Sequence, residues 1–456
     1  MLRALLLGFS AFLAAASAQD TRNVTEPVFP ASCTVLTAGL SSVEGRTLAA
    51  PDEDQPDTAR IQRALDACAP GRAVVLEADG AHGAFLSGPL ELRAGVTLRI
   101  ARGATLFGAR NPRDYDVRPG SCGIVDQNGH GCRALINGSR VAGAAVMGEG
   151  TIDGRGWATL TGQDVTWWEL AERARAGGNQ NCPRLIVLSH CDNFTLYRVT
   201  LKNSGNFHVY FGNGDGFTAW GVIIDTPKNA RNTDGIDPAA SRNVTIAHCY
   251  IHTGDDNVAI KAGGPVSHMT IAHNHFYTGH GMSIGSETYG GAEAIRVTDL
   301  SIDGADNGIR IKSNSGRGGL VRDVVYSDVC IRDTKNPILM DTDYAGYGRA
   351  GDRLPAFTGI VLRDVRVLTP GKITLQGYDA AHPLGMTLEN VYLDRPGESK
   401  VEAVHGRFSV SGGVNLLPTG EDVTVAGTPG KASPNDCQGK FVPMPGGDGL
   451  LHQAPH

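Results

Sequence analysis

Short β-branched runs broken by Gly, Asn and Asp recur along this chain. Examples are Val96-Thr97-Leu98-Arg99-Ile100, Leu185-Ile186-Val187-Leu188, Phe194-Thr195-Leu196, Phe217-Thr218-Ala219-Trp220, Val244-Thr245-Ile246-Ala247, Met269-Thr270-Ile271-Ala272 and Arg296-Val297-Thr298-Asp299. The steps from Thr195 to Thr218, Thr245, Thr270 and Val297 are 23, 27, 25 and 27 residues. A regular period of roughly 20 to 30 residues with drifting length describes stacked coils joined by loops of variable size. A sandwich expects turns about every 8 to 12 residues, which also occur, but it leaves the longer recurrence unexplained. The pattern predicts an all-β, single-domain right-handed parallel β-helix, continuing through Val324-Val325-Tyr326, Phe357-Thr358-Gly359-Ile360-Val361 and Met386-Thr387-Leu388.

The two ends read differently from the coils. Between Asp57 and Cys68 the residues Ile61, Ala64, Leu65 and Cys68 fall at helical spacing after an Asp cap, so a short capping helix is expected to cover the first coil's apolar rung. At the start, Met1-Leu2-Arg3, an apolar run from Ala4 to Ala15 and Ala16-Ser17-Ala18 have the order of a signal peptide, which places the mature start at Gln19. After about Pro418 the chain turns rich in Gly and Pro, and a loose tail dispensable for chemistry is expected. The expected organisation is therefore 1–18 signal peptide, 19–417 catalytic β-helix and 418–456 tail.

Composition narrows the function classes. Sixty Gly and only 19% charged residues suit a turn-rich β protein. A formal net charge of -6 gives no footprint for nucleic acid. No stretch beyond the leader approaches about 18 uninterrupted apolar residues, so a secreted protein with no membrane span, acting as a monomer, is expected. Nine cysteines suit an exported chain. Cys33 with Cys68 and Cys122 with Cys132 are the expected pairs, and Cys182 with Cys191 is a further option. Cys249 and Cys330, in apolar strands, read as buried thiols, and Cys437 has no obvious partner. No spacing resembles a two-by-two zinc site, and no metal or cofactor is expected.

Four polar signatures interrupt the apolar pattern between Asn232 and Lys312, and they lie one coil apart: Asn232-Thr233-Asp234, Gly254-Asp255-Asp256, Gly279-His280-Gly281 and Arg310-Ile311-Lys312. Stacked coils bring such groups to within about one strand spacing, 4.8 Å. An isolated Asp at a β-helix turn is usually a backbone cap. Three together repel unless one keeps a proton, which is what a general acid requires. His280, one coil beyond Asp255, is placed to hydrogen-bond a carboxylate and steer its protonation. Arg310 and Lys312 alternate around Ile311 and share a face, an arrangement that makes sense with an anion between them. Lys261, and more weakly Lys228 and Arg231, extend the basic lining, and Trp167 and Trp168 offer either sugar stacking or core packing. A face combining acid, base and anion-binding groups suits hydrolysis of a polymer that carries carboxylates.

These four signatures closely resemble those of the polygalacturonases, the pectin-degrading glycoside hydrolases, most like the secreted bacterial endo-acting members. The similarity runs from about Ser32 to about Asn390 and includes the Cys122 to Cys132 loop. The resemblance implies a right-handed β-helix that hydrolyses α-1,4 bonds between galacturonate units of pectin with inversion and without metal. It implies Asp255 as general acid, Asp234 and Asp256 as the pair that orients and deprotonates water, and His280 as the group maintaining the acid's protonation. Arg310 and Lys312 become the clamp on the substrate carboxylate, Asn232 a positioning residue, and Tyr344 a further binding residue, with Tyr347 the weaker alternative. A compact carboxylate pair is assigned to retention by the general separation rule, so the implied inversion stands against that rule. Rival readings are an exo-acting polygalacturonase, a calcium-dependent pectate lyase, and a non-catalytic carbohydrate-binding β-helix.

Overall fold

The computed structural model describes residues 19–346, 351–431 and 435–446. The signal-peptide expectation for 1–18 and the alternative Tyr347 lie outside them. Within them the strands pair in parallel from one coil to the next. One sheet takes one strand from each successive coil, from Leu90–Glu91 through Ile186–Ser189, Val209–Gly212, Ile236–Ala239, Val258–Ile260, Met282–Ile284, Asn307–Lys312 and Asn336–Asp341 to Lys400–Val404. The larger sheet carries the β-branched runs, and the two enclose the core of a β-helix.

Register explains the core. Phe194, Phe217, Val244, Met269, Ile295, Val324, Ile360, Met386 and Phe408 pair in sequence, one per coil, and all are buried. Each rung covers the one before, so apolar burial propagates along the axis. The predicted steps hold for Thr195, Thr218, Thr245 and Thr270, which are paired. The last is off by one: Thr270 pairs with Arg296, and Val297 pairs with the buried Ile271. A one-residue slip reverses every side chain, so burial of Val297 decides the register.

One corner of the coil recurs with left-handed backbone at His248, His273, Asp299, Asp328, Asp364 and Asn390, with φ between 50° and 58°. Asn, Asp and His tolerate that conformation better than other side chains. The polar breaks in the apolar pattern are thus the bends of the coil.

The helix forms at Thr58–Ala67 and buries Ile61 and Leu65, and the disulfide Cys33–Cys68 ties its end to the first strand. Asp57 does not cap it. Its carboxylate instead accepts the Leu86 backbone N–H at 3.2 Å and binds Arg60 at 2.7 Å. A second helix that the reading missed, Trp167–Arg173, carries a capping box between Thr166 and Glu169. Trp167 is buried in it and belongs to the core, and Trp168, partly exposed, donates to the Ser204 carbonyl.

The tail is not loose where it is described. Val423–Gly427 adds a parallel strand to Gly406–Ser411. Cys437 forms a disulfide with Cys330, which corrects the free-thiol expectation for Cys330. Lys440 binds Asp328 at 2.6 Å and also Asp299, and Phe441 lies under Arg332. Gly and Pro here serve a strap that crosses the coil corners. Cys122–Cys132 is bonded, whereas Cys182, Cys191 and Cys249 are buried free thiols. The strand Ile186–Ser189 separates Cys182 from Cys191, and an extended strand of that length holds them well beyond the roughly 7 Å limit for a disulfide.

Candidate active site

The signatures fall at one edge of the smaller sheet. Asp234, Asp256 and His280 each lie two residues before the paired positions Ile236, Val258 and Met282, and Ser283 pairs with Arg310. The backbone N–H of Gly235 donates to the Asp256 carbonyl at 2.8 Å, which locks two motifs together. All four signatures therefore share one ledge, as their spacing predicted.

Asp255 lies at the lip, its side chain 19% exposed. Its Oδ1 accepts the Asp256 backbone N–H at 2.9 Å and faces His280 Nδ1 at 2.9 Å. Its Oδ2 accepts from Asn232 Nδ2 at 3.3 Å. On the far side of His280, Nε2 lies 3.7 Å from Asp306, which is paired with Lys335.

Asp256 is buried beside it. Lys312 Nζ binds its Oδ2 at 2.9 Å, and Arg310 and Ser283 converge on its Oδ1. The anion between Arg310 and Lys312 is thus the protein's own carboxylate, where the reading expected the substrate's. Ser283 completes the group by accepting from Arg310 Nε at 2.8 Å. The Tyr344 ring lies 5.1 Å from Lys312 Nζ, beside the same cations.

Asp234 and Asp237 form a second pair one coil earlier. Lys261 Nζ lies 3.2 Å from Asp234 and 3.3 Å from Asp237, over the Phe207 ring. Asp234 Oδ1 and both Asp237 oxygens accept no hydrogen bond from the protein. Arg231 is spent on the Ala171 carbonyl, and Lys228 is exposed.

These surroundings set the acidities. Burial pushes all four carboxyls upward. For Asp234 it prevails, with the Asp237 charge adding to it, and the carboxyl is held well above its usual range. Asp237 rises to about 7, from burial that the Lys261 and Arg184 charges only partly offset, with Asp256 adding to the rise. For Asp255 burial is the largest influence, but the His280 hydrogen bond together with the nearby positive charge outweighs it and lowers the value. Arg310 and Lys312 outweigh burial at Asp256 and lower it further. Of the three carboxyls whose crowding called for a raised pKa, Asp234 is the raised one, joined by Asp237, while Asp255 and Asp256 are lowered. Asp237 was missed, although its alternation with the inward Ile236 marks it as facing the ledge.

Among the described residues, the one group of three with metal-ligand spacing is Asp255, Asp256 and His280, whose donor atoms lie within 4.8 Å of one another. Their donors are already engaged by Asn232, Arg310, Lys312 and the backbone. Two fixed cations on Asp256 also disfavour a third.

Residues 81–410 match the family described as glycosyl hydrolases family 28. The chain is 46% identical over 386 residues to an endo-polygalacturonase of Pectobacterium carotovorum subsp. carotovorum, covering 84% of this chain and 92% of that protein. It is 40% identical over 513 residues to a polygalacturonase of Ralstonia nicotianae, covering 97% and 96%. The solved polygalacturonase of Erwinia carotovora ssp. carotovora superposes with a TM-score of 0.79 at 44% identity, covering 86% of this chain and all of that one.

Proposed function

The chain belongs to glycosyl hydrolases family 28, and from that premise we propose how the ledge divides the work of an endo-polygalacturonase acting on pectic substrate. Asp255 gives its proton to the glycosidic oxygen as the bond to C1 breaks. A water molecule attacks C1 from the opposite face and loses its proton to a carboxylate. Asp256 is a weak base, held by Arg310, Lys312 and Ser283, so its role is to orient that water. Asp234, in its ionised form beside Lys261, accepts it. With both Asp256 oxygens occupied, direct attack by Asp256 is disfavoured, which supports inversion despite the compact spacing.

The carboxylates of two bound galacturonates would raise the proton affinity of Asp255 by charge and by excluding water. His280 then holds the proton-bearing group in line. Asn232 positions Asp255, and the remaining donors of Arg310 and Lys312, with Tyr344 alongside, bind the sugar carboxylate. Lys261 joins this group as the counter-charge of Asp234. The observation carrying this reading is the single ledge on which Asp234, Asp255, Asp256 and His280 meet. Three disulfides suit secretion into an oxidising medium, and none of the described helices is long and apolar enough to cross a membrane. We place the protein outside the cell, released by cleavage after Ala18, with polygalacturonate as substrate and one chain as the working unit.

The test is digestion of unesterified polygalacturonate, with viscosity, reducing ends and product chromatography followed together. Viscosity falling well before reducing ends accumulate, saturated oligomers, and activity lowered at least roughly 10²-fold in Asp255→Asn are expected. Unsaturated ends, or monomer alone from the start, would overturn it. The raised proton affinity of Asp234 favours one second reading, with Asp234 as donor and Asp255 as base. A galacturonide with a good leaving group decides between them, because it rescues only the variant lacking the acid.

A further inference from the structure

The two oxygens of Asp255 are served unequally. Oδ1 meets the Asp256 N–H and His280, whereas Oδ2 meets the side-chain amide of Asn232. An amide can turn either end to a carboxyl group. Its N–H favours the ionised form and its carbonyl the protonated form. What lies on the other side of the amide decides which end faces Asp255.

That neighbour is Gln180, whose Nε2 donates to Asn232 Oδ1 at 2.9 Å. Gln180 is held from outside the ledge. Asn179–Gln180 pairs antiparallel with Val125–Asp126, inside the loop clipped by Cys122–Cys132. The buried Asn181 fastens the same strand, accepting the Gly131 N–H at 2.6 Å and donating its backbone N–H to the Ile124 carbonyl at 2.9 Å. Asn232 itself is held in the left-handed region at φ 56°. The amide can therefore turn about its own axis while its position stays fixed.

We propose that Gln180 is a positioning residue for Asp255, setting through the Asn232 amide which end meets Oδ2. The inference rests on the reading of Asp255 as proton donor. With Gln180 donating, Asn232 presents its N–H to an ionised Asp255. With Gln180 accepting, Asn232 presents its carbonyl and needs a proton on Oδ2. The pair follows the proton without any backbone change. The charges facing Asp255 from the neighbouring coils are Asp234, Asp256, His280 and Lys312, and none of them is altered by a change at Gln180.

Gln180→Glu tests this, because a carboxylate only accepts and forces the Asn232 carbonyl toward Asp255. The basic limb of kcat/KM reports the proton donor of the free enzyme, here Asp255. It should move upward by about one pH unit in Gln180→Glu, and less in Gln180→Met, which neither donates nor accepts. Placed on an Asn232→Leu background, Gln180→Glu should no longer move the limb. The midpoint of the limb does not depend on how much protein folds. An unmoved limb, or the same shift without Asn232, overturns the inference. Substantial polymer cleavage by Asp255→Asn would instead sink the assignment of the donor itself.

Discussion

Two pairs of carboxylates, all buried except the partly exposed Asp255, lie one coil apart on the same ledge and are shifted in opposite directions. Asp255 and Asp256 are adjacent in sequence, yet both are held below the ordinary carboxyl range. Asp234 and Asp237 are both held above it. Burial acts alike on all four. The difference is how closely cations approach: His280 faces Asp255, and Arg310 and Lys312 face Asp256, whereas the other two share the single contact of Lys261, with Arg184 acting on them only through its charge. Proximity of like charges says that one carboxyl is raised somewhere; direct contact with cations says where.

The largest effect should come from emptying the well-compensated pair. Asp256→Asn leaves Arg310 and Lys312 buried without their anion, and a broken buried ion pair costs about 3 to 5 kcal/mol. Denaturant unfolding should register that loss together with near-complete loss of activity. A variant as stable as the parent would break the comparison.

Asp255→Asn should reduce kcat by roughly 10²- to 10⁴-fold, the range for loss of a general acid. Steady-state rates on polygalacturonate, and rescue by a good leaving group, check it.

A smaller effect sharpens the contrast. The lowered pair contributes stability that is present above the unfolded carboxyl range and is lost as pH falls through its folded values. The raised pair works the other way. Its contribution is full below about pH 4 and is lost as pH rises through about 7 at Asp237. Thermal midpoints should therefore peak in mildly acidic buffer. Asp237→Asn should flatten the decline between about pH 4 and 7, gaining on the order of 1 to 3 kcal/mol at neutral pH. A decline unchanged in that variant would show that Asp237 is not its source.

Much of this was written in the spacing. The steps between Thr195 and Thr270 reproduce the strand register, and the four signatures meet because each lies one coil from the next. Disulfide partners close in sequence, Cys122 with Cys132, were legible for the same reason. What escaped the reading depends on contacts across long separations. Cys330 meets Cys437 only because the tail folds back over the coil corners. Arg310 and Lys312 reach Asp256 two coils away, and that contact is what lowers the Asp256 pKa. Asp237 and Gln180 were missed because neither carries a motif of its own: one is recognised by strand alternation, the other only by its partner Asn232.

The most direct test of the ledge as a site for water attack is the anomeric configuration of the first product. Proton NMR of a concentrated digest, recorded before mutarotation, reads it within minutes. Hydrolysis of the α-linked polymer with Asp255 as donor and Asp234 and Asp256 on the water should release the β-anomer first. Initial release of the α-anomer would mean a covalent intermediate on one of these carboxylates and would contradict the assignment.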